Sequence, residues 1–396
     1  MRLNDISEYV DRNKNEAIQC LIEILQTPSP TGEEYAISEL IKKKLEEEKL
    51  PVDVYALDIK RPNIISNWVG NTKGKTFLLN GHYDVFPPDS QNAKDAWSAK
   101  IVGDDIYACG SADMKTGVTA ALMAIKFLKR SGFVPNGKII FNCNADEEQG
   151  GKYGVCYLLS KGLLSADFGI CMEASQDSVI VDSDGRIAYQ VTYKEESWHA
   201  GLRKNQKSAI QKAHLAIERL NEYDKYLHRE RTFEDSSTGA ILSITELKAG
   251  DLGKTPNVHA PYCTFTIDRR YTNGETIESA TKELISILDD LKLNNASMNY
   301  ELKTLTASPQ LKMDAHSSVI DCSIEAYKKF FKKEITTNRR CGGGDTAKIT
   351  DAYHFPLPQF GPGKFDQLCA KDEHVSLSEY INFIKAYMYI IIKMLG

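Results

Sequence analysis

Two apolar segments of the chain each run directly into a short acidic motif. The first covers residues 78–84 and ends on His82, Tyr83 and Asp84. The second covers residues 139–148 and ends on Glu147 and Glu148. Open α/β sheets bind ligands at the carboxyl ends of their strands, so both motifs are expected at one edge of a sheet. This pattern limits the fold more than any other feature of the sequence and predicts an α/β protein with a polar site at that edge.

Helix and strand signals alternate through the first half of the chain. Apolar runs typical of buried strands occupy residues 76–80, 138–143 and 168–172, and segments with helical periodicity lie at 16–27, 34–48 and 118–128. Such alternation is typical of a mostly parallel sheet covered by helices.

The pattern changes near residue 183. Residues 186–194 alternate apolar and polar side chains, as a half-exposed strand does. A helix, two strands, a helix and a strand are then predicted at 208–220, 240–247, 262–271, 275–291 and 297–302. This β-α-β-β-α-β order is ferredoxin-like. We therefore expect a catalytic domain formed by 1–182 and 305–396, interrupted by an α+β insert at 183–304 that could pair with a second copy.

Composition excludes several classes of protein. The chain of 396 residues is 42% hydrophobic and 26% charged, with a net charge of −5, so it has no basic footprint for nucleic acid. No apolar secretory signal stands at its start. The longest apolar stretch, 381–395, contains two lysines and is too short to span a bilayer, so a terminal core helix is expected. Nine scattered cysteines without a Cys-x-x-Cys pair indicate free thiols and a cytoplasmic location.

Five side chains at strand ends or in loops are candidate metal ligands. Two divalent ions close together need a bridging carboxylate and a terminal ligand set for each ion. Imidazole and carboxylate groups suit zinc, and cobalt or manganese would also be accepted. The candidates provide two imidazoles, two terminal carboxylates and one bridge, namely His82, His374, Glu148, Glu173 and Asp113.

Two further acids stand beside these candidates. Asp84 projects to the same side of an extended strand as His82 and could accept the second ring N–H of that imidazole. Glu147 could act as a general base. Each motif also has a simpler interpretation: His82 and Asp84 as a surface pair, the Glu147-Glu148 pair as a solvated turn, and Asp113 as a helix cap.

At these residues the chain resembles the co-catalytic zinc amidohydrolases and peptidases that include acetylornithine deacetylase, succinyl-diaminopimelate desuccinylase, aminoacylase and glutamate carboxypeptidase. The resemblance covers nearly the whole chain. Its motifs lie at 81–87, 110–117, 146–148, 172–173 and His374. It implies a lid and dimerisation role for the insert, and therefore a homodimer.

The resemblance also implies a role for each residue. His82 and Glu173 would bind one metal ion, Glu148 and His374 the other, and Asp113 would bridge them. Asp84 would orient His82, Glu147 would be the general base and acid, and His199 of the lid would reach across the dimer to the reacting carbonyl. Residues similar to substrate-binding positions are Asn257, Arg270, Gly343 and Gly344.

The chain departs from the family pattern at three places. His259 and Ala260 follow the Asn257-Val258 pair where relatives carry Ile-Pro, Lys348 stands where many have Arg, and the spacing from His374 to Glu379 is one residue longer than usual. The first departure changes the expected lid contact. None removes a metal ligand or the base.

The function expected from the sequence is hydrolysis of an amide bond in a small N-acyl amino acid by a metal-activated water, with Glu147 as general base. A dipeptidase or carboxypeptidase of the same family is the alternative. A single-metal enzyme and a non-catalytic metal-binding protein are further possibilities. A nucleotide-binding oxidoreductase is disfavoured because no Gly-x-Gly-x-x-Gly motif follows an early strand.

Overall fold

The computed structural model describes residues 2–88, 95–202, 204–231, 239–251, 256–272, 274–294, 297–368 and 370–396. The chain divides into two compact units, one formed by residues 1–182, 312–339 and 344–396, the other by 183–311 and 340–343. The second unit runs to Leu311 rather than to 304, and its last long strand continues to Ser308. Cys369, one of the nine cysteines, lies outside the described residues.

The first 183 residues carry the strands that present the two acidic motifs. In chain order the elements are α1 (Ile6–Arg12), α2 (Lys14–Gln26), α3 (Tyr35–Glu46), β1 (Asp53–Tyr55), β2 (Asn63–Val69), β3 (Lys75–His82), β4 (Lys100–Val102), β5 (Asp105–Tyr107), α4 (Thr116–Arg130), β6 (Gly137–Asn144), α5 (Val155–Ser160), β7 (Phe168–Cys171) and β8 (Val179–Ser183). Single helical turns at Ser111–Lys115 and Glu147–Gln149 follow β5 and β6.

The later part of the chain forms the insert and then returns to the first unit. The insert contains β9 (Gly185–Lys194), α6 (Ala209–Glu230), β10 (Ile241–Ala249), β11 (Tyr262–Tyr271), α7 (Ile277–Asn294) and β12 (Tyr300–Ser308). The remaining elements are β13 (Leu311–Lys312), α8 (Ser318–Phe331), β14 (Thr337–Arg340), α9 (Gly344–Tyr353), a turn at Phe365–Gln367, β15 (His374–Ser376) and α10 (Leu377–Leu395).

The main sheet of the first unit has the order β1-β2-β6-β3-β7. Strands β6, β3 and β7 are parallel neighbours, whereas β1 pairs with β2 and β2 with β6 in the antiparallel sense. The predicted α/β class is confirmed, with a mixed rather than a mostly parallel sheet. Because β3, β6 and β7 run side by side in one direction, the residues that follow them meet at one edge.

Apolar helices cover this sheet. Helix α4 is buried from Thr116 to Leu128, and α10 packs against α4 and α8. The two lysines within the apolar stretch 381–395 reach the rim of the core, where Lys385 pairs with Asp11 at 2.7 Å and Lys393 with Glu325 at 3.5 Å. Across the described ranges, no helix is long and apolar enough to cross a membrane.

The insert has the predicted ferredoxin-like arrangement. Its sheet has the order β10-β11-β9-β12, and each neighbouring pair is antiparallel. Burial alternates strictly along β11, as expected for a sheet with one face on a core. Helix α6 begins with a capping box between Ser208 and Gln211 and runs to Glu230, ten residues beyond the predicted end at 220, in the same amphipathic pattern.

Candidate metal centre

Three predicted ligands meet at the carboxyl edge of the main sheet. His82 is the last residue of β3, Glu173 follows β7, and Asp113 lies in the turn before α4. The His82 Nε2 atom lies 3.3 Å from Asp113 Oδ1 and 3.4 Å from Glu173 Oε1. One ligand atom from each of the three residues lies within 4.8 Å of the others. The site is almost closed to solvent, since His82 is 1% and Glu173 5% exposed.

The donor set fits a divalent cation. His82 Nε2 and Asp113 Oδ1 are buried and make no hydrogen bond to any residue that the structure describes, although both are strong polar groups. Buried polar atoms without partners are costly, and two at one point favour a bound ion as the missing partner. Burial alone would lower the pKa of His82, but the carboxylates of Asp113, Asp84 and Glu173 outweigh it and raise that pKa. A cation at this point would be held by a nitrogen and carboxylate oxygens, as zinc prefers.

Side chains from three segments pack closely around Gly81, the residue before His82. A Cβ atom on Gly81 would lie 2.8 Å from the methyl carbons of Met114 and Met172 and equally close to Val118. Glycine at this point therefore allows the Asp113 turn and the end of β7 to pack directly against β3. The backbone N–H of His82 donates to the Met114 sulfur at 3.4 Å.

The second ring nitrogen of His82 fixes its tautomer. Nδ1 lies 2.9 Å from the backbone carbonyl oxygen of Asp84 and 3.5 Å from its carboxylate. A carbonyl only accepts hydrogen bonds, so Nδ1 carries a proton, and the neutral ring that a metal ion binds would offer the lone pair of Nε2. Asp84 thus orients His82 chiefly through its backbone, whereas the sequence predicted its carboxylate for this task.

The Asp84 carboxylate instead holds the Glu147-Glu148 turn. It accepts the backbone N–H of Glu147 at 3.0 Å and that of Glu148 at 3.3 Å, together with the Thr31 hydroxyl at 2.9 Å. Asp84 is fully buried. Because Asp84 binds the backbone of Glu147 and Glu148 as well as the His82 ring, it holds the two glutamates next to His82.

Glu147 lies in a confined acidic environment. Burial raises its pKa to about 8, with further increases from Asp345 and Glu173 and an opposing effect of His82. Its carboxylate lies over the first residue of α9: a Cβ atom on Gly344 would be 2.5 Å from Glu147 Oε1, and φ of Gly344 is +51°. Burial raises the pKa of Glu148 as well. Both residues therefore lose protons more easily when a cation neutralises the site.

Glu148 and Asp113 also line a cavity of about 980 Å³ in the first unit. Its wall includes Tyr107, Lys371 and Glu373. The cavity gives the acidic edge access to small molecules, a common arrangement for a binding site.

His374 is outside the group of three. Its ring packs on Tyr107 with centroids 4.8 Å apart, and its Nδ1 lies 2.8 Å from the Asp372 carbonyl oxygen. The carbonyl contact again places the proton on Nδ1 and leaves the Nε2 lone pair for a metal ion.

Sequence reasoning missed Glu373, the residue before His374. Its carboxylate accepts the backbone N–H groups of Gly110, Ala112 and Asp113 at 2.9, 2.7 and 3.0 Å. Burial raises its pKa to about 7 against the opposing effect of these donors. Glu373 therefore shapes the turn that presents Asp113. The only sequence signal was a second acidic residue beside the late histidine.

The predicted substrate-binding residues His199, Asn257 and Arg270 contact other residues of the second unit. His199 Nε2 lies 3.2 Å from the Asn257 amide nitrogen, and His199 and Val258 form a β-bridge. The departure at His259 has a structural use, because its ring packs on Trp198 with centroids 4.4 Å apart. Arg270 donates to Asp268 at 2.7 Å and to the Cys341 carbonyl at 2.8 Å.

Gly343, Gly344 and Lys348 belong to the Gly-rich segment. Gly343 is buried and Gly344 begins α9. Lys348 Nζ lies 3.6 Å from Asp345 and donates to the Gly150 carbonyl at 3.1 Å. Lysine at the position where relatives have arginine thus pairs with a buried acid close to Glu147.

Comparisons with known proteins identify the family of the chain. Residues 78–393 match the model of peptidase family M20/M25/M40. The chain is 24% identical to an N-formyl-4-amino-5-aminomethyl-2-methylpyrimidine deformylase of Halalkalibacterium halodurans, covering 98% of this chain and 96% of that protein. It is 26% identical to carboxypeptidase G2 of a Pseudomonas species, covering 79% and 73%.

A solved structure has the same fold. The M20 family metallo-carboxypeptidase Sso-CP2 of Sulfolobus solfataricus superposes with a TM-score of 0.78 at 18% identity, covering 95% of this chain and 98% of that one. Together with the family match, the resemblance inferred from the motifs is confirmed. The chain is an amide-bond hydrolase that belongs to peptidase family M20/M25/M40.

Proposed function

We propose that this protein removes the acyl group from a small N-acyl amino acid, with Glu147 as general base and acid. The observation that carries the proposal is the position of Glu147. Its carboxylate lies in the same acidic site as Glu173, since a Cβ atom on Gly344 would be 2.5 Å from Glu147 Oε1 and 4.0 Å from Glu173 Oε1. A carboxylate beside a bound cation can take a proton from water and return it to a leaving amine.

Two divalent metal ions, most simply zinc, are part of this proposal. His82 and Glu173 would hold one ion, Glu148 and His374 the other, and Asp113 would contact both. When bound, the ions supply Lewis-acid activation of water and of the amide carbonyl. The unpartnered Nε2 of His82 and Oδ1 of Asp113 support the first position. The Nδ1–H tautomer of His374 supports the second.

The protein residues perform the remaining tasks. Asp84 fixes the backbone of Glu147 and Glu148, so the proposed base and the proposed ligand keep a constant position relative to each other. Glu147 holds the proton between attack and departure of the amine. His199 would stabilise the developing oxyanion from the partner subunit of a homodimer, and Asn257, Arg270, Gly343 and Gly344 would bind the substrate carboxylate. Free cysteines in the described part of the chain are consistent with a cytoplasmic enzyme.

The relatives support two substrate branches. The deformylase, which aligns with 98% of this chain, removes an acyl group and favours the deacylase proposal. Carboxypeptidase G2 supports the second candidate, cleavage of a dipeptide or of a C-terminal residue. An N-acyl amino acid and the C-terminal end of a peptide both carry the carboxylate that a guanidinium such as Arg270 would bind.

The test is amine release by the zinc-loaded protein from N-formyl, N-acetyl and N-succinyl amino acids and from dipeptides. Glu147→Gln should lower kcat by about 10² to 10⁴-fold, the contribution of a positioned acid–base group, at unchanged metal content. Glu148→Gln is the matched control at the neighbouring position and should instead lose bound metal. Full activity of Glu147→Gln would refute the assignment of the base. Turnover restricted to dipeptides would replace the deacylase by the second candidate.

A further inference from the structure

A buried group of three charged side chains lies behind the Glu147-Glu148 turn. Arg61 donates to both oxygens of Glu34, at 3.1 Å from Nε and at 2.7 Å from its terminal nitrogen, and to Asp146 Oδ1 at 2.6 Å. Glu34, Arg61 and Asp146 are 0%, 7% and 2% exposed. We call this group the Arg61 triad. No predicted site residue belongs to it.

The triad determines the conformation of the residue before the base. Asp146 has φ +68° and ψ 13°, in the left-handed region that only Gly, Asn and Asp enter readily. Its Oδ2 atom accepts the backbone N–H of Tyr153 at 2.9 Å, and its carbonyl accepts that of Gly151 at 2.6 Å. The Arg61 guanidinium lies 4.6 Å from the centre of the Tyr153 ring. Residues 146–153 therefore form a loop closed by Asp146 and Arg61.

This closed loop contains Glu147 and Glu148. On the side facing His82, Asp84 accepts both of their N–H groups. On the opposite side, Asp146 turns the chain and is itself held by Arg61. The two attachments together leave the Glu147 backbone little freedom, which a base needs in order to keep its distance from a substrate.

We propose that Arg61 is a positioning residue for Glu147, acting through the left-handed conformation of Asp146. The inference deepens the proposed function and rests on it only where activity is measured. Buried ion pairs are poor stabilisers compared with well-packed apolar residues. A buried triad at the entry to the catalytic turn is therefore better explained by the geometry it fixes than by the stability it adds.

The chain contains a matched control for this proposal. Arg130, at the end of α4, donates from Nε to both oxygens of Glu48 at 3.1 and 3.0 Å and from NH1 to Glu16 at 2.7 Å. The hydrogen-bond pattern repeats that of Arg61, but the Arg130 side chain is 36% exposed and no site residue is attached to it. Arg130→Met removes a similar triad without touching the turn.

The first measurement is hydrogen–deuterium exchange of the metal-free protein, which needs no substrate. In Arg61→Met, the amides of Glu147, Glu148, Gly151 and Tyr153 should exchange faster, because the loop loses its anchor. Arg61→Lys, which keeps one charge-assisted bond, should give an intermediate rate. Arg130→Met should leave these amides unchanged. Unchanged exchange in Arg61→Met would overturn the proposal.

The second measurement separates kcat from KM. Loosening the base should lower kcat of Arg61→Met by about 10- to 100-fold, the cost of a misplaced catalytic group, with little change in KM. Arg130→Met should match the wild type. An equal fall of kcat in both variants, or a change of KM with unchanged kcat in Arg61→Met, would overturn the positioning role.

One outcome distinguishes the positioning role of Arg61 from the proposed function. If wild type turns over no substrate of the panel while Arg61→Met still accelerates exchange at Gly151 and Tyr153, the loop assignment holds and the proposed function fails. If Arg61→Met does not fold, Asp146→Asn replaces it. Asparagine tolerates the left-handed region but cannot form the ion pair, and exchange at Tyr153 as slow as in wild type would then refute the role of the triad.

Discussion

Replacing Asp84 by asparagine changes one acceptor oxygen into a donor at the centre of the site. Asp84 Oδ1 accepts the N–H of Glu147 at 3.0 Å, and Oδ2 accepts the N–H of Glu148 at 3.3 Å and the Thr31 hydroxyl at 2.9 Å. The Thr31 hydroxyl can also accept a hydrogen bond, whereas the two backbone groups cannot. The asparagine amide should therefore face Thr31 and keep its oxygen on Glu147.

Among the hydrogen bonds that the Asp84 carboxylate accepts, the loss is then confined to one. The N–H of Glu148 would face an amide nitrogen and lose its partner in a buried position. A hydrogen bond to a charged group contributes about 1.5 to 3 kcal/mol, which corresponds to about 10- to 150-fold in an equilibrium constant. Since Glu148 is a proposed ligand, we expect Asp84→Asn to weaken metal binding by this factor and kcat at saturating metal to change less.

The assay is metal titration of the purified variant by calorimetry, with Thr31→Val as the control. That control removes the hydroxyl but leaves both backbone contacts of Asp84, so the turn that carries Glu148 keeps its anchor and metal affinity should stay within about tenfold of the wild type. An Asp84→Asn variant with unchanged affinity would refute the reasoning. So would a Thr31→Val variant that loses as much as Asp84→Asn.

Two further predictions concern metal and pH. His374→Ala should bind one metal ion fewer than the wild type by elemental analysis, whereas His316→Ala, at an exposed position, should bind as many; equal content would remove His374 from the ligand set. Without metal, the pKa of Glu373 is raised to about 7 and that of Glu147 to about 8, from 4.5. Their contribution to stability is complete below about pH 4.5 and is lost as pH rises through these values. The Tm of the metal-free protein should therefore fall from pH 5 to pH 7, and a rise would contradict the assigned burial.

The strand-end argument predicted the central part of the site because it depends on chain direction alone. His82 ends β3 and Glu173 follows β7. Because these strands are parallel neighbours, the two side chains are expected at the same edge of the sheet once the strands are recognised. Asp113 was found through the Gly-flanked motif before α4. The β-α-β-β-α-β order of the insert was readable because its strands and helices differ in periodicity.

Other features depend on contacts that leave no local pattern. Glu373 accepts three backbone N–H groups from residues far earlier in the chain, and backbone donors have no signature in side-chain sequence. Arg61 likewise meets Glu34 and Asp146 only through the fold. The antiparallel pairing of β1 and β2 was also missed, since β1 has only three residues and therefore shows no recognisable period.

The division of the chain into units also has a consequence for synthesis on the ribosome. The insert, residues 183–311, is nearly continuous in sequence, whereas the first unit needs residues 312–339 and 344–396 as well. Helix α10 belongs to its core, and the carbonyl of Leu395 accepts the N–H of Asn136 at 2.6 Å. Domains generally fold as their residues emerge. The insert should therefore be folded before helix α10 is available to the earlier half of the chain, so the unit whose synthesis begins first is completed last. The full set of proposed metal ligands includes His374, so it can be brought together only once the segment 344–396 has emerged.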